Sequence, residues 1–352
     1  MRDSRPSQPR MPRPLIIPVF LPNQGCPHRC AFCDQGAVTH GAAGEVLPGD
    51  VDRAVEQGLA RARPGRSPVE IAFYGGNFLG LDLERAFSLL SRAARWVEEG
   101  RADHIRFSTR PDTVTPASLA RIRPFPVRTV ELGVQSLDEA VLAKSLRGHT
   151  ATDSVNAARA VKGAGYALGL QFMAGLPGQD KASAVDTARR AVELGPDFVR
   201  IYPVVVLAGT ALARWWQEGR YRALSVPEAV DWASAMYGVF QEAGVSVARV
   251  GLHDPDLAPG AVLAGPLHPA LGDLTASAWM LSLARAAFSR ENLQGKAAVI
   301  RVHPRREGAA RGPGNQNLAA LAREFDAPRV EVILDPRLPE NQVRAGCLGP
   351  VS

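Results

Sequence analysis

Between residues 16 and 205, short apolar runs alternate with stretches of helical period, and this alternation limits the possible folds more than any other feature. The runs fall at 16–20, 69–74, 104–108, 129–134, 167–173 and 198–202, with helix-period segments at 49–62, 82–98, 115–122, 138–145, 151–164 and 180–194. Strands that alternate with helices imply βαβ units, a parallel sheet and right-handed crossovers. Six such units predict an α/β fold of the partial (β/α)6 barrel kind, with chemistry gathered at the C-terminal ends of the strands. A helix–helix–strand block follows at 209–219, 226–243 and 245–251. Beyond Gly265 the pattern changes to a helix at 272–288, a strand at 298–302, a loop rich in Arg and Gly, a helix at 317–325 and a strand at 330–334. The chain divides accordingly into a basic arm at 1–14 expected to be disordered, a core barrel with its helical continuation at 15–264, and a small α/β extension at 265–352.

Directly after the first run comes Cys26-Pro27-His28-Arg29-Cys30-Ala31-Phe32-Cys33, three cysteines spaced C-x3-C-x2-C. Three thiolates on one short loop can hold three corners of a cubane 4Fe-4S cluster and leave one iron open for chemistry. Zinc is the rival reading. Structural zinc takes four Cys or His ligands, normally as two paired arms. His28 or His40 would serve as a fourth ligand here, but no second paired arm exists. Disulfides suit poorly a chain with only four cysteines in 352 residues and no secretory signal, so a reducing cytoplasm is the expected setting. The fourth cysteine, Cys347, reads most simply as a stray thiol near a flexible tail, with a closing or substrate-side role as the alternative.

An apolar content of 46% is ample for a core, and no apolar run approaches the eighteen or so residues that a membrane span needs. A net charge of +6 suits an anionic partner such as nucleic acid. Arg301, Arg305, Arg306 and Arg311 cluster, as do Arg2, Arg5, Arg10 and Arg13. Only four of the 41 basic residues are lysines, a bias that a GC-rich genome also produces.

The strand ends carry the remaining signals. Tyr74-Gly75-Gly76-Asn77-Phe78 follows the second run, where paired glycines free the backbone to approach a ligand, although a plain βα turn also favours Gly and Asn. Glu131-Leu132-Gly133-Val134-Gln135-Ser136 ends the fourth run, and alternation turns Glu131, Gly133 and Gln135 to one face. Buried unpaired, such groups cost on the order of a few kcal/mol, so they need either a ligand or a hydrogen-bonding partner inside the barrel. Ser145-Leu146-Arg147-Gly148-His149-Thr150 comes next, and His149 is read as structural. Gln171-Phe172-Met173-Ala174-Gly175-Leu176-Pro177-Gly178 closes the fifth run in what is expected to be a tight turn. Ser108-Thr109-Arg110-Pro111-Asp112 and Arg200-Ile201-Tyr202-Pro203 end the third and sixth.

Taken in order, CPHRCAFC, YGGNF, STRPD, ELGVQS, RGHT, GLPGQ and VRIYPVVVLAGTAL across residues 16–215 resemble the radical S-adenosylmethionine (SAM) enzymes. The nearest likeness is to the radical SAM domain of the Elongator catalytic subunit and its shorter bacterial relatives, with oxygen-independent coproporphyrinogen oxidase more distant. The resemblance implies that Cys26, Cys30 and Cys33 ligate one 4Fe-4S cluster whose open iron chelates SAM. An electron from a flavodoxin- or ferredoxin-type donor would then split SAM to methionine and a radical that abstracts hydrogen from the substrate. It further implies SAM contacts from Gly75, Gly76, Glu131, Gln135 and Gln171, from Phe32 at the adenine, and from Arg147 at the carboxylate. Asn77 stands where many relatives carry Glu, Thr or Ser, and joins this cofactor-binding set by position. Arg110, Arg200 and Tyr202 would line the substrate side, with structural salt bridging the competing role for each arginine.

By the same resemblance the leading substrate is tRNA or another RNA. A small-molecule metabolite, porphyrin-like or other, is the second reading, and a non-catalytic metal-binding module the third. Three departures narrow what carries over. The fewer than a hundred residues after 265 show no acetyl-CoA loop, so the Elongator carboxymethylation role is not transferred. Asp34-Gln35 stands where porphyrinogen enzymes carry a further cysteine, and the extra cysteines of a second cluster are missing. One cluster is therefore expected.

Overall fold

The computed structural model describes residues 14–27, 29–34, 45–252 and 260–348. The expected basic arm, apart from Pro14, lies outside these residues, as do His28, His40 and Gln35. The elements run β1 Leu15–Phe20, α1 Pro48–Ala60, β2 Val69–Tyr74, α2 Leu83–Glu98, β3 His104–Thr109, α3 Pro116–Ile122 and β4 Val127–Gln135. They continue with α4 Glu139–Lys144, α5 Ala151–Gly163, β5 Ala167–Ala174, α6 Lys181–Glu193, β6 Phe198–Pro203, β7 Val206–Leu207, α7 Ala211–Gln217, α8 Val226–Glu242 and β8 Ser246–Val250. The last stretch holds β9 Val262–Ala264, α9 Leu271–Arg290, β10 Ala298–Val302, α10 Glu307–Arg311, α11 Gln316–Glu324, β11 Val330–Leu334 and β12 Val343–Cys347. All six apolar runs are strands, with bounds shifted by at most two residues.

Chain contacts divide these elements into two units. The first comprises residues 1–29, 41–133 and 152–168. In it β1, β2, β3 and β4 pair in parallel in that order, β1 on β2 from Leu15↔Val69 to Phe20↔Tyr74. Ile17, Ile71, Phe73, Ile105, Phe107, Val130 and Leu132 are fully or almost fully buried along these strands, as parallel strands covered on both faces require. The packed helix α2 buries Ala86, Leu89, Leu90, Ala93 and Trp96, a spacing of three and four that keeps one face inward. Asp82 caps it, accepting from the Arg85 N–H at 2.9 Å. Asp52 of α1 accepts from Arg92 Nε (2.6 Å) and Trp96 Nε1 (2.9 Å) of α2, and the Arg92 guanidinium holds that carboxyl below its ordinary range. The buried Phe78 ring lies 5.0 Å from Phe73 and 4.6 Å from Phe107. Burying a Phe is worth roughly 1.5–3 kcal/mol, so this stack anchors the short 3-10 turn Phe78–Gly80 that follows the glycine pair.

The second unit comprises residues 30–40, 134–151 and 169–352. Here β5, β6 and β8 pair in parallel, β7 and β9 form an antiparallel pair, and β10 lies between parallel β11 and antiparallel β12. One expectation needs correction. The Arg- and Gly-rich loop contains α10, while Cys347, read as a stray thiol near the tail, is exposed and ends β12 opposite Ala298 of β10. The segment Val343-Arg344-Ala345-Gly346-Cys347 lacks the β-branched content that marks a strand in sequence, so only its pairing to β10 makes it one. The basic cluster near 305 is also used within the fold. Arg305 pairs with Glu340 (3.0 Å) and Arg311 with Glu307 (2.9 Å). Arg306 donates to Tyr237 Oη (3.0 Å) and Gln241 Oε1 (2.7 Å) of α8 and lies over the Trp279 ring of α9 at 5.6 Å. No helix among the described residues is long and apolar enough to cross a membrane.

Candidate metal and cofactor site

In the first unit the chain leaves β1 and is bound at once to the end of β2. The Leu21 N–H donates to the Tyr74 carbonyl (2.7 Å) and the Asn77 N–H to that of Gln24 (2.8 Å). Gly76 takes φ +71°, and a Cβ there would run into the carbonyls of Leu21 and Gln24; Gly25, at φ +72°, leaves no room beside the Asn77 carbonyl. Only glycine fits both the left-handed backbone and the close approach. The glycines thus clamp the segment leading into Cys26.

Asn77 completes the clamp. It is fully buried, its Nδ2 donating to the Gly25 carbonyl (2.9 Å), while its Oδ1 accepts from the Arg110 N–H (3.0 Å) and the hydroxyls of Thr109 (2.6 Å) and Thr113 (2.9 Å). Its side chain therefore joins the cysteine loop to the ends of β2 and β3. Arg110 forms a bidentate pair with Asp112 (2.9 and 2.8 Å) and is almost wholly buried, which is the salt-bridging role that competed with substrate lining.

Glu131 is also fully buried and accepts from the Tyr74 hydroxyl (2.8 Å) and Arg106 (3.3 Å), whose other nitrogen reaches Glu70 (3.1 Å). Two carboxylates thus share one guanidinium inside the strands. Glu70, Tyr74 and Arg106 were not singled out in the sequence. The signal existed: Glu70, Arg106 and Glu131 each stand between two apolar residues of a strand run, and charges buried in adjacent strands must find one another.

In the second unit the rest of the cysteine loop is held at three points. Ala31 donates its N–H to the Ser145 carbonyl (3.0 Å), its own carbonyl accepts from the Leu212 N–H of α7 (2.8 Å), and the Cys33 N–H donates to the Cys30 carbonyl (3.1 Å). Cys30 is buried, and Arg147 NH1 donates to its Sγ at 3.2 Å. Phe32 packs, half-buried, on the apolar cluster of Val141, Leu176, Val206 and Leu212. Arg147 follows the end of α4, where Leu146 takes φ +54°, a position at which helices favour glycine and other residues cost roughly 1–2 kcal/mol.

Gln135 likewise sits at φ +66°, and its Oε1 is buried with no hydrogen-bond partner among the described residues; the Ser145 hydroxyl is in the same condition. Gln171 on β5 and Tyr202 on β6 are half-buried. Arg200 is buried with its guanidinium 5.8 Å from the Phe198 ring, and His149 is buried. Gly175-Leu176-Pro177-Gly178 makes the expected turn: Gln179 Oε1 accepts from the Gly175 N–H (2.8 Å) and the Tyr221 hydroxyl donates to the Gly175 carbonyl (2.6 Å). Trp215, Tyr221 and Trp232 line a cavity of about 610 Å³ over this turn, and burial raises the Tyr221 hydroxyl above the ordinary tyrosine range.

Among the described residues no three His, Cys, Asp or Glu side chains gather as a site for one metal ion. A cubane asks for something else, since each thiolate takes its own iron. In the second unit Cys30 and Cys33 stand on a loop held by backbone bonds, Cys30 under a guanidinium, which fits thiolate ligands of such a cluster, and the orphaned Gln135 carbonyl oxygen fits a ligand that brings a donor.

Parallel α/β units with a triple-cysteine loop directly after β1 define a class, the enzymes that combine an Fe–S cluster with an organic cofactor. Residues 20–191 match the model of the Radical SAM superfamily and residues 196–280 that of the Radical_SAM C-terminal domain. The chain belongs to the radical SAM superfamily, whose cofactors are a 4Fe-4S cluster and SAM. It is 28% identical over 228 residues to the tRNA uridine(34) acetyltransferase of Dehalococcoides mccartyi, covering 56% of this chain and 50% of the relative. It is 30% identical over 212 residues to the heme chaperone HemW of Mycobacterium tuberculosis, covering 58% and 54%. The solved archaeal Methanocaldococcus infernus Elp3, with an N-terminal deletion, aligns with a TM-score of 0.61 at 21% identity over 76% of this chain and 62% of that one. That likeness shows the fold, the expected α/β partial barrel of the radical SAM type. The chain spans about half the length of the curated relatives it matches.

Proposed function

We propose that Cys26, Cys30 and Cys33 hold one 4Fe-4S cluster, that SAM binds beside it, and that the substrate is a tRNA. The observation that carries the site is the buried Cys30 sulfur under Arg147, on a loop held by backbone bonds at Ala31 and Leu212. The tRNA reading is supported by the relatives named for a tRNA uridine and rests on them. Cluster and SAM, when bound, supply reductive cleavage of SAM and hydrogen abstraction from the substrate. The chain's residues supply position. Gly25, Gly76 and Asn77 fix the approach to Cys26. Gln135 offers SAM a buried acceptor, and Gln171, Phe32 and the backbone of Gly75 and Gly76 are its further contacts. Glu131, held in place by hydrogen bonds from Arg106 and Tyr74, gives that wall a fixed hydrogen-bonding face. Arg200 and Tyr202 face the substrate, while Arg110 shapes that side through Asp112. The proposal also takes 15–264 as the catalytic core, 265–352 as an appended module, the cytoplasm as the setting, and a flavodoxin or ferredoxin as the electron donor.

Anaerobic reconstitution tests it. The expected result is about four irons and four sulfides per chain, as a 4Fe-4S cluster requires, with 5′-deoxyadenosine released on reduction. Stoichiometric zinc and intact SAM overturn the site. For the substrate, tRNA binding should weaken steeply with salt as displaced counterions demand; binding indifferent to salt, or no change in tRNA nucleosides in a deletion strain, overturns that part alone.

A further inference from the structure

The Arg147–Cys30 hydrogen bond has a geometry that packing alone does not require. Arg147 is about 6% exposed, and its NH1 reaches the sulfur of a residue 117 positions earlier at 3.2 Å. Both partners are held by backbone hydrogen bonds. Cys30 precedes Ala31, whose N–H is tied to the Ser145 carbonyl two residues before Arg147, and whose carbonyl is tied to α7. Arg147 in turn donates its own N–H to the Leu142 carbonyl (3.1 Å), directly after Leu146 at φ +54°. Strain held beside a buried polar contact marks a functional constraint more often than a packing accident.

Sulfur ligands of Fe–S clusters respond to such neighbours. Hydrogen bonds to the sulfurs and local charge set the potential within a cluster type, and outer partners orient the ligand they touch. A cationic donor on a ligating thiolate stabilises the reduced, more negative cluster relative to the oxidised one. Resting on the cluster reading above, we propose that Arg147 is a positioning residue for Cys30 whose hydrogen bond to the ligating sulfur raises the reduction potential of the cluster. This is a role for the residue toward the metal centre, distinct from any contact with SAM, and it is present when SAM is absent.

The test uses the full chain, reconstituted anaerobically and titrated with reductant without SAM, the reduced cluster being followed by electron paramagnetic resonance. Arg147→Met removes donor and charge; Arg147→Lys keeps the charge and a shorter donor. Expected are a downward shift of potential in Arg147→Met and a smaller one in Arg147→Lys. The wild-type cluster, grown with 15N-arginine, should also show a 15N hyperfine coupling that Arg147→Lys abolishes. That measurement needs no variant to load, and its absence in the loaded wild type overturns the proposal. A variant that loads and keeps the wild-type potential also overturns it. A wild type that takes up no cluster removes this inference together with the proposed function, whereas a loaded, SAM-cleaving wild type with an Arg147-independent potential removes this inference alone.

Discussion

Two regions of the molecule differ in how their buried side-chain oxygens are partnered. In the first, Glu131 accepts from Tyr74 and Arg106, Glu70 pairs with the same Arg106, and Asn77 spends both ends of its amide on the protein itself. In the second, the Gln135 carbonyl oxygen and the Ser145 hydroxyl are buried without a hydrogen-bond partner among the described residues, and Gln135 and Leu146 hold strained backbones. Closed networks belong to folding, since half-satisfied ones are worse than an apolar core. Open ones persist where a ligand completes them. The Glu131 and Asn77 networks are thus expected to behave as scaffold, and the Gln135–Ser145 edge as receptor.

Removing Arg106 should break the scaffold hardest. Arg106→Met leaves Glu70 and Glu131 buried without their shared cation, and breaking a buried pair costs about 3–5 kcal/mol. Urea unfolding of the unloaded chain measures it; a loss below about 1 kcal/mol would place Glu131 among the open, ligand-facing groups. Asn77→Ala comes next. Three donors lose the Oδ1 acceptor and the Gly25 carbonyl loses Nδ2, at about 1–3 kcal/mol for each group left unsatisfied, reduced by relaxation to about 2–4 in all. Because the residue clamps the entry to Cys26, iron content after reconstitution should fall with stability. Full iron content in a destabilised Asn77→Ala would separate the clamp from the cluster.

The receptor side predicts the reverse. Gln135→Gly removes an orphaned acceptor and the left-handed strain, so stability should hold or rise by about 1 kcal/mol, while SAM affinity, read by calorimetry on the loaded chain, drops about tenfold for one lost hydrogen bond. A Gln135→Gly chain that is both less stable and fully competent for SAM reverses the assignment of scaffold and receptor.

How far this contrast was legible in the sequence follows from its physics. The strands were readable because buried parallel strands are locally apolar, and the cysteine loop because ligand spacing is local. Glu131 was marked as needing a partner, yet its partners lie 57 and 25 residues away on neighbouring strands, and register across a sheet is not written in any one strand. Asn77 was read through its position after two glycines. Its four hydrogen bonds depend on the approach of β1's exit loop to β3, which only the folded chain defines. Strand β12 failed for the opposite reason, having too little local signal to be seen.

The smallest effect concerns how α4 delivers Arg147. Asp138 caps that helix, accepting from the N–H groups of Ala140 (2.9 Å) and Val141 (3.2 Å), and Ser183 donates its hydroxyl to the other oxygen (2.8 Å). The Ser183 bond, then the two N–H groups, hold the Asp138 carboxyl below its ordinary range against the opposing effect of burial. A carboxyl depressed in the folded state contributes stability that is present above its unfolded value near 4 and is lost as pH falls through the folded value. Asp138→Ala should therefore cost about 1 kcal/mol at pH 7, the usual loss for a missing cap, and the gap to wild type should close on acidification below pH 4. Asp138→Asn keeps the cap and should remove the pH dependence while retaining most of the stability. If α4 is merely scaffold, Asp138→Ala shifts unfolding alone. If it delivers Arg147 to Cys30, the same variant also lowers the potential of the reconstituted cluster, in the direction of Arg147→Lys but by less.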